Sequence, residues 1–242
     1  MGRLKAVWER VLTHNLLPLG RVWAGRYPED RPRKHSLLEK IFMTPVLLAR
    51  SLSLSNLGAF FSPDGSRFLL FIDLYVLGWA ALFSGLLFAG RPATWIVVLL
   101  AAYRVVDIVA YHFAVLLVDS QIATFRLMSV RRSFVFSIVN FYEIIAAYAL
   151  VYLTAGNIVD STTGAPLASG TSALYYSVVT IVTLGYGEFC PADDASRAIV
   201  MIQLLTGVLF LAGIAPMIAA NIAPSLTGRS GGGGPDAPRY RP

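Results

Sequence analysis

One stretch of the chain combines threonines and glycines at a spacing that suits coordination of a bare cation. It reads Thr180-Ile-Val-Thr183-Leu-Gly185-Tyr186-Gly187. A dehydrated alkali cation needs closely spaced oxygens in place of its water shell, and backbone carbonyls supply them without a fixed negative charge. Successive carbonyls point to one side only if left-handed backbone recurs at intervals, and glycine adopts that backbone without a Cβ penalty. The stretch therefore predicts a cation site made of main-chain oxygens at Thr183, Leu184, Gly185, Tyr186 and Gly187.

The residues before this stretch predict a short helix, from Ser172 to Val182 and capped by Thr171 or Ser172. Gly185 and Gly187 prevent its continuation. A helix of that length cannot cross a bilayer, which takes about 20 residues. Non-helical backbone at membrane depth is tolerated only where it lines a water-filled path or is buried in protein. A half-helix followed by an extended segment therefore predicts a re-entrant pore loop.

Composition places this loop in a membrane protein. Of the 242 residues, 56% are hydrophobic and 14% are charged, against about 25% charged in an ordinary soluble domain. The mean hydropathy is +0.63. The sequence predicts an all-α membrane protein with four transmembrane helices, and the loop lies between spans three and four. The four apolar runs are 68–89, 93–118, 134–154 and 198–223.

The distribution of charge predicts the orientation of the spans. Lys and Arg number 11 in residues 1–67, 3 in 119–133 and 3 after 223, against Arg91 and Arg197 alone in the two intervening loops. Both ends are therefore expected in the cytoplasm, and no signal peptide is expected to be cleaved. The loop 155–196 then lies outside and would concentrate cations through Asp160, Glu188, Asp193 and Asp194.

These observations divide the chain into four expected parts. Apolar residues recur at helical spacing over residues 4–12, and the stretch Leu37–Leu48, interrupted by Pro45, is too short to span. Both predict interfacial helices on the inner surface. The parts are a basic cytoplasmic N-terminal segment with interfacial helices (1–65), two peripheral transmembrane helices (66–132), a pore domain (133–223) and a disordered cytoplasmic tail (224–242).

The stretch Thr180–Gly187 resembles the signature of the potassium-channel family, T-x-x-T-x-G-Y-G. The resemblance covers roughly residues 134 to 222. It implies a channel that conducts K+ passively through a homotetrameric filter, because one chain supplies one filter strand and the oxygen cage needs four. K+ would bind at Thr183, Leu184, Gly185 and Tyr186 as the permeant ion, and no cofactor is expected. The expected location is a plasma membrane, of bacterial inner-membrane type.

The resemblance also assigns residues around the filter. Glu188 stands where the family usually has aspartate, and Tyr175 and Tyr176 stand where many members carry tryptophan. Together with Thr180 these are expected to support the filter, and a bond from the Tyr176 hydroxyl to Glu188 is the specific hypothesis. Cys190 falls at the outer mouth, where membrane-impermeant thiol reagents should reach it, although an inert buried thiol is the alternative.

Two residues of the fourth span resemble gating elements of the family. Gly207 resembles the gating hinge, and close helix packing is the equally weighted alternative. Pro216 resembles the second proline of the inner-helix kink in voltage-gated members, and a kink is expected there whether or not it gates.

Charged residues inside the spans predict a buried cluster. Arg104 and Asp107 lie at i and i+3 of span two, and Asp73 and Glu143 lie at similar depth in spans one and three. Intramembrane charge is costly unless paired. We expect Arg104 to pair with Asp107, Glu143 or Asp73 and to join the outer helices. A role in sensing protons or voltage is the alternative.

Other functions find less support in the sequence. One cysteine and three histidines cannot build a closed structural zinc site, and no nucleophile with an acid partner stands at motif spacing, so an enzyme is not expected. A potassium transporter or a non-conducting regulatory membrane subunit is the competing function, although no second pore loop is evident. Nucleic acid is not an expected partner. Anionic lipid can meet Arg126, Arg131 and Arg132, unless these residues only determine topology.

Overall fold

The computed structural model describes residues 36–57, 68–89, 94–117 and 130–227. The surface helix expected at residues 4–12, Arg126 and the tail after residue 227 lie outside these ranges. The described elements are α1 (Leu37–Ser51), a 3-10 turn (Leu54–Leu57), α2 (Phe68–Phe88), α3 (Trp95–Leu117), α4 (Val130–Thr154), β1 (Ile158–Asp160), α5 (Gly170–Ile181), β2 (Phe189–Pro191) and α6 (Asp194–Thr227).

The described residues contain four helices long and apolar enough to cross a membrane, namely α2, α3, α4 and α6. Their apolar cores are Leu69–Phe88, Trp95–Ala114, Phe134–Thr154 and Asp194–Ile214. This agrees with the four spans predicted from the sequence and describes a multi-pass, mostly helical membrane protein. The last helix begins at Asp194, because the Asp193 carboxylate accepts a hydrogen bond from the backbone of Ser196 (2.7 Å) in the first turn.

Helix α4 lies at the centre of the molecule and packs against α2, α3, α5 and α6. A run of small residues, Ala146, Ala147 and Ala149, is buried along it and allows neighbouring helices to approach closely. The largest fully buried apolar side chains are Tyr152, Phe83, Phe210, Leu47, Ile108 and Ile144.

A short antiparallel pair of strands interrupts the helical architecture. Val159 of β1 faces Cys190 of β2, and the flanking pairs are Ile158 with Pro191 and Asp160 with Phe189. The pair ties the end of α4 to the start of α6, so both ends of the intervening loop are held together. An entirely α-helical chain was expected, and this sheet is the difference, since strands of three residues give no usable alternating pattern in a sequence.

Candidate cation site

Helix α5 is a half-helix that begins with its N-terminus against the end of α2. Its cap is Ser169, whose hydroxyl accepts a hydrogen bond from the Ser172 backbone (3.0 Å). The expected caps, Thr171 and Ser172, are therefore wrong by two or three positions. Gly170 is required here, because a Cβ at that position would lie 2.1 Å from the carbonyl oxygen of Leu87.

The ribbon after α5 alternates between left-handed and ordinary backbone. The φ angle is +60° at Thr183, +57° at Gly185 and +82° at Gly187, whereas the residues between them do not have positive φ. Among the described residues Thr183 is the one non-glycine residue with a positive φ. The alternation is the one that a row of like-facing carbonyls requires of an L-amino-acid chain. The glycines were anticipated from the sequence, and the left-handed threonine was not.

Hydrogen bonds to α5 fix the inner end of this ribbon. The Thr183 backbone N–H donates to the carbonyl of Thr180 (3.0 Å), and the Leu184 N–H donates to the carbonyl of Val179 (3.0 Å). The side chains of Leu184 and Tyr186 are 56% and 68% exposed in the single chain. Backbone hydrogen bonds therefore anchor the ribbon, while its large side chains are exposed in the single chain.

The outer end of the ribbon is held by the small sheet. The Glu188 carbonyl accepts a hydrogen bond from the Ser161 N–H (2.8 Å). The Cys190 thiol donates to the Gly187 carbonyl (3.7 Å) and is partly exposed. Cys190 thus contacts the outermost glycine of the segment.

The two tyrosines of α5 have different partners, and Tyr175 rather than Tyr176 lies at Glu188. The Tyr175 hydroxyl interacts with Glu188, whereas the Tyr176 hydroxyl interacts with Thr180. The hypothesis of a Tyr176–Glu188 bond is therefore wrong. Tyr176 is buried instead, with its ring centroid 4.9 Å from that of Tyr152. One position along a helix rotates a side chain by about 100°, so neighbouring residues face different partners.

Between the ribbon and α6 lies a cleft of about 410 Å³. Both tyrosines of α5 line it, as do Tyr186 and Cys190. Val200 and Leu204 of α6 form its far wall. The outer part of the ribbon therefore does not pack tightly against its own chain.

A buried hydrogen-bond cluster of Tyr152, Ser177 and Gln203 joins α4, α5 and α6 behind the ribbon, and it was not predicted from the sequence. The Gln203 amide donates to the backbone carbonyl of Ser177 (2.9 Å) and to its hydroxyl (2.8 Å). The Tyr152 hydroxyl donates to the Gln203 side-chain oxygen (2.5 Å), and Ser177 donates to the Ile145 carbonyl (2.8 Å). A glutamine in the middle of an apolar span was the available signal, since such residues form hydrogen bonds between helices.

Gly207 lies where α6 meets the end of α5. A Cβ at Gly207 would lie 2.6 Å from Cγ1 of Ile181. This contact supports the close-packing alternative for Gly207 and leaves its hinge role a prediction. The helix α6 is continuous through residue 216, and the gating role of Pro216 stays a prediction too.

The intramembrane charges form two groups, and Asp73 does not join Arg104. Arg104 Nε contacts Glu143 (2.5 Å) and its Nη1 contacts Asp107 (2.6 Å). Asp73 pairs with Arg132 instead (2.6 Å). Asp73 lies near the start of α2 and Arg132 near the start of α4, whereas Arg104 and Glu143 lie near mid-span. The expected pairing of Asp73 with Arg104 is therefore wrong, because depth along the helices separates them.

Glu143 is fully buried, and its Oε1 atom has no hydrogen-bond partner within the described part of the chain. Asn140 and Tyr75 complete the surroundings of Arg104 and Asp107. Asn140 accepts from Arg104 (3.3 Å), and the Tyr75 hydroxyl donates to Asp107 (2.9 Å). The cluster connects α2, α3 and α4, and its two carboxylates share one guanidinium.

Acidic side chains on the loop outside the spans accept backbone hydrogen bonds. The N–H groups of Thr163 and Thr162, each 2.8 Å from the Asp160 carboxylate, hold the pKa of Asp160 below its usual range. The Ser196 N–H lowers the pKa of Asp193 in the same way. Both carboxylates are therefore ionised at neutral pH and give this loop negative charge.

Comparisons with known proteins point to channel proteins. A family model described as an ion channel matches residues 143–223. The inward rectifier potassium channel Kirbac3.1 of Paramagnetospirillum magnetotacticum is 36% identical over 75 residues, which is 31% of this chain and 24% of that protein. The matched part therefore spans about a quarter of the relative's length. No solved structure matches the chain.

Proposed function

We propose that the chain forms a potassium-selective channel that conducts K+ passively, since a family model described as an ion channel matches residues 143–223 and a potassium channel is 36% identical over 75 residues. The observation that carries this proposal is the alternation of positive φ at Thr183, Gly185 and Gly187, directly after a half-helix. Backbone carbonyls of residues 183–187 would replace the hydration shell of K+.

The half-helix contributes electrostatically to the same site. The C-terminus of α5 leads into the ribbon at Thr183, so its partial negative charge lies next to the innermost part of the filter. The Thr183 hydroxyl adds a ring of oxygens at that end. Tyr175, interacting with Glu188, and Tyr176, interacting with Thr180, support the filter from behind.

Four copies of the chain would complete the pore. One ribbon forms one wall of an oxygen cage, and Leu184 and Tyr186 are left exposed beside an open cleft. Helix α6 also exposes a row of large apolar side chains, Met201, Leu205 and Val208, at helical spacing. Covering these surfaces with neighbouring copies fits closed fourfold symmetry.

The surroundings of the pore follow from the same arrangement. Both termini lie in the cytoplasm of a plasma membrane of bacterial inner-membrane type, and the Asp160–Asp193 side of the molecule faces outside. Cys190 lies at the outer mouth and should react with impermeant thiol reagents. Anionic lipid would bind through Arg126, Arg131 and Arg132, of which Arg132 pairs with Asp73.

The deciding experiment is the reversal potential of the purified full chain in planar bilayers under a K+ gradient opposed by Na+. A reversal potential close to the K+ equilibrium value is expected. Equal permeation of Na+ would contradict the filter. Absence of current with an intact assembly would favour the transporter or the non-conducting regulatory subunit.

Gly185→Ala is the matched test of the backbone argument. Nothing lies within 4 Å of a Cβ at Gly185, so the cost is the left-handed φ of +57° alone, about 1–2 kcal/mol per subunit. We expect loss of K+ flux from liposomes. Gly78→Ala in α2 is the control, since its Cβ also meets nothing within 4 Å and its φ is not left-handed. Unchanged flux in Gly185→Ala would argue against carbonyl coordination.

A further inference from the structure

We infer that residues 37–57 form a re-entrant element embedded in the bilayer, whose outer face contacts lipid acyl chains. This differs from the interfacial helix that the sequence predicts at Leu37–Leu48, which would lie on the membrane surface. The inference is independent of the proposed ion selectivity, since it concerns the peripheral helices.

The first observation is the depth of the contact at the end of this segment. The Leu54 N–H donates to the Tyr103 hydroxyl (2.7 Å). Tyr103 lies within α3, which runs from Trp95 to Leu117. At 1.5 Å per residue it is about 12 Å from the first end and about 21 Å from the second. In a hydrocarbon core of about 30 Å, this contact lies well inside the membrane.

The composition of α1 suits that depth. Helix α1 packs against α3, and Met43 and Leu47 are buried. An interfacial helix needs a polar face, whereas residues 41–49 of α1 carry no charge. The exposed side of α1 and of the residues that follow it consists of large apolar side chains, namely Leu37, Leu38, Ile41, Phe42, Leu48, Leu52 and Leu54.

The charges of α1 lie at its two ends. Glu39 belongs to a capping box with Ser36, and Lys40 follows it in the first turn. Arg50 lies in the last turn, is half-buried and has an interaction partner. Arg50 is therefore not an uncompensated charge, and the stretch between Lys40 and Arg50 is uncharged.

In the turn that follows α1, residues 52–56 (the tip), every backbone N–H has an acceptor within the protein, as non-helical structure in a membrane requires. The Asn56 amide donates to the carbonyl of Ser51 (3.3 Å) and to that of Arg50 (3.0 Å), which also accepts from the Ser53 N–H (3.2 Å). The Ser53 hydroxyl bonds to that of Ser55 (2.7 Å). Ser53 and Asn56 are buried, so the polar groups of the tip face protein rather than lipid.

Polar contacts also connect the tip with the Arg104 cluster at mid-span. The Tyr103 hydroxyl that accepts from Leu54 interacts with Tyr75, and Tyr75 donates to Asp107 (2.9 Å). Asp107 pairs with Arg104. This connection places the tip at the same depth as the buried charges of the peripheral helices. Acyl chains are the occupant that fits this depth, because the exposed side of α1 consists of large apolar side chains, as does the exposed part of α3 at Ile96 and Leu99.

The test measures depth with fluorescent labels on single cysteines in a Cys190→Ser background. The full chain carries Leu52→Cys, Leu37→Cys or Leu99→Cys and is reconstituted in liposomes with brominated acyl chains. The Leu52 side chain is 77% exposed and that of Leu99 is 69% exposed, so both accept a label without repacking. We expect lipid quenching at residue 52 within a factor of about two of that at residue 99, and iodide quenching at residue 37. Leu48→Cys replaces Leu52→Cys if that protein does not assemble.

Two outcomes would overturn the inference. Iodide quenching at residue 52 as strong as at residue 37 would return the segment to the membrane surface or to water. Quenching at residue 52 by neither agent would show that protein, such as a second copy, covers this face.

A second variant tests the anchoring contact. Tyr103→Phe removes the acceptor of the Leu54 N–H and should raise iodide quenching at residue 52. Tyr111→Phe, two turns further along α3, is the matched control and should leave the quenching unchanged. An equal effect of both variants would mean that the Tyr103 hydroxyl does not hold the tip at depth.

Discussion

Among single residues, Thr183 shows that the ribbon of residues 183–187 depends on backbone strain that its side chains do not relieve. Thr183 is β-branched and holds φ at +60°, a conformation that costs on the order of 1–3 kcal/mol. Such a residue stays left-handed only where its surroundings determine it. Here the hydrogen bonds from Thr183 to Thr180 and from Leu184 to Val179 do so. The strained φ of Thr183 therefore follows from the hydrogen bonds that hold the ribbon against the C-terminal end of α5.

Asp193 gives a prediction of pH dependence at the same scale. Its pKa is lowered in the folded chain by the Ser196 N–H, so its stabilising effect is present above the unfolded pKa of about 3.9. That effect is lost as the pH falls through the lower folded value. Asp193→Asn keeps a side-chain acceptor but does not titrate. The melting temperature of wild type should exceed that of Asp193→Asn at neutral pH, and the difference should shrink in acid. A constant difference across the pH range would show that the carboxylate charge contributes nothing.

At the scale of elements, α5 and α6 approach each other at one glycine. Gly207 has room for no side chain, because Ile181 at the end of α5 occupies the position of its Cβ. Gly213, two turns further along α6, would place a Cβ at an ordinary 3.7 Å from Cβ of His112. The end of the half-helix is thus located by a backbone contact with the last span.

Gly207→Ala should therefore destabilise the fold. We expect a loss of about 1–3 kcal/mol, as for overpacking of a dense core, seen as a lower thermal midpoint in detergent. Gly213→Ala should change the midpoint little. If Gly207 served only as a hinge, the two variants would be equally stable and differ only in channel opening.

The peripheral helices are joined to α4 by charges rather than by apolar packing alone. Arg104 contacts carboxylates of α3 and α4 in a fully buried setting, whereas the Arg132–Asp73 pair is partly exposed. Removing one partner of a buried pair leaves an uncompensated charge, while a partly exposed pair is screened.

Arg104→Met should destabilise the protein by about 3–5 kcal/mol, because Glu143 and Asp107 lose their common partner. Arg132→Gln is the comparison and should cost below about 1 kcal/mol. Both are measured as thermal midpoints of purified protein. Equal losses would mean that burial of the Arg104 cluster does not determine its contribution. A normally assembled Arg104→Met protein with altered voltage or pH dependence would favour the sensing alternative.

Across the whole molecule, one part of the single chain exposes large apolar side chains beside an open cleft. The cleft beside the ribbon, the exposed Tyr186 and the apolar row on α6 all lie within the part of the chain that contains α5, the ribbon and α6. The peripheral helices α2 and α3 pack behind α4 instead. This distribution suits an assembly in which the filter segments meet at the centre.

Mixing of subunits tests that assembly. If four ribbons form one filter, a single Gly185→Ala subunit should disable the complex. Equal co-expression with wild type should then leave about one sixteenth of the K+ flux, as expected for random closed tetramers. A remaining flux of about one half would show that each chain conducts by itself. Gly78→Ala subunits, mixed in the same way, should leave the flux unchanged.

Local sequence patterns were enough to predict the spans, the half-helix and the left-handed glycines. Each of these depends on neighbouring residues: the length of an apolar run must match the hydrocarbon core, and Gly185 and Gly187 act through their own φ angles. The Arg104–Asp107 pairing was also accessible, because both residues lie on one helix at a fixed separation.

Tertiary structure alone decided which residues of different helices meet. It paired Asp73 with Arg132, placed Tyr175 rather than Tyr176 at Glu188, set Ile181 against Gly207 and put Leu54 beside Tyr103 at mid-span. These contacts depend on the rotation and axial shift of one helix against another. A one-residue error turns a side chain by about 100°, and the packing of many side chains, not any local pattern, fixes that rotation.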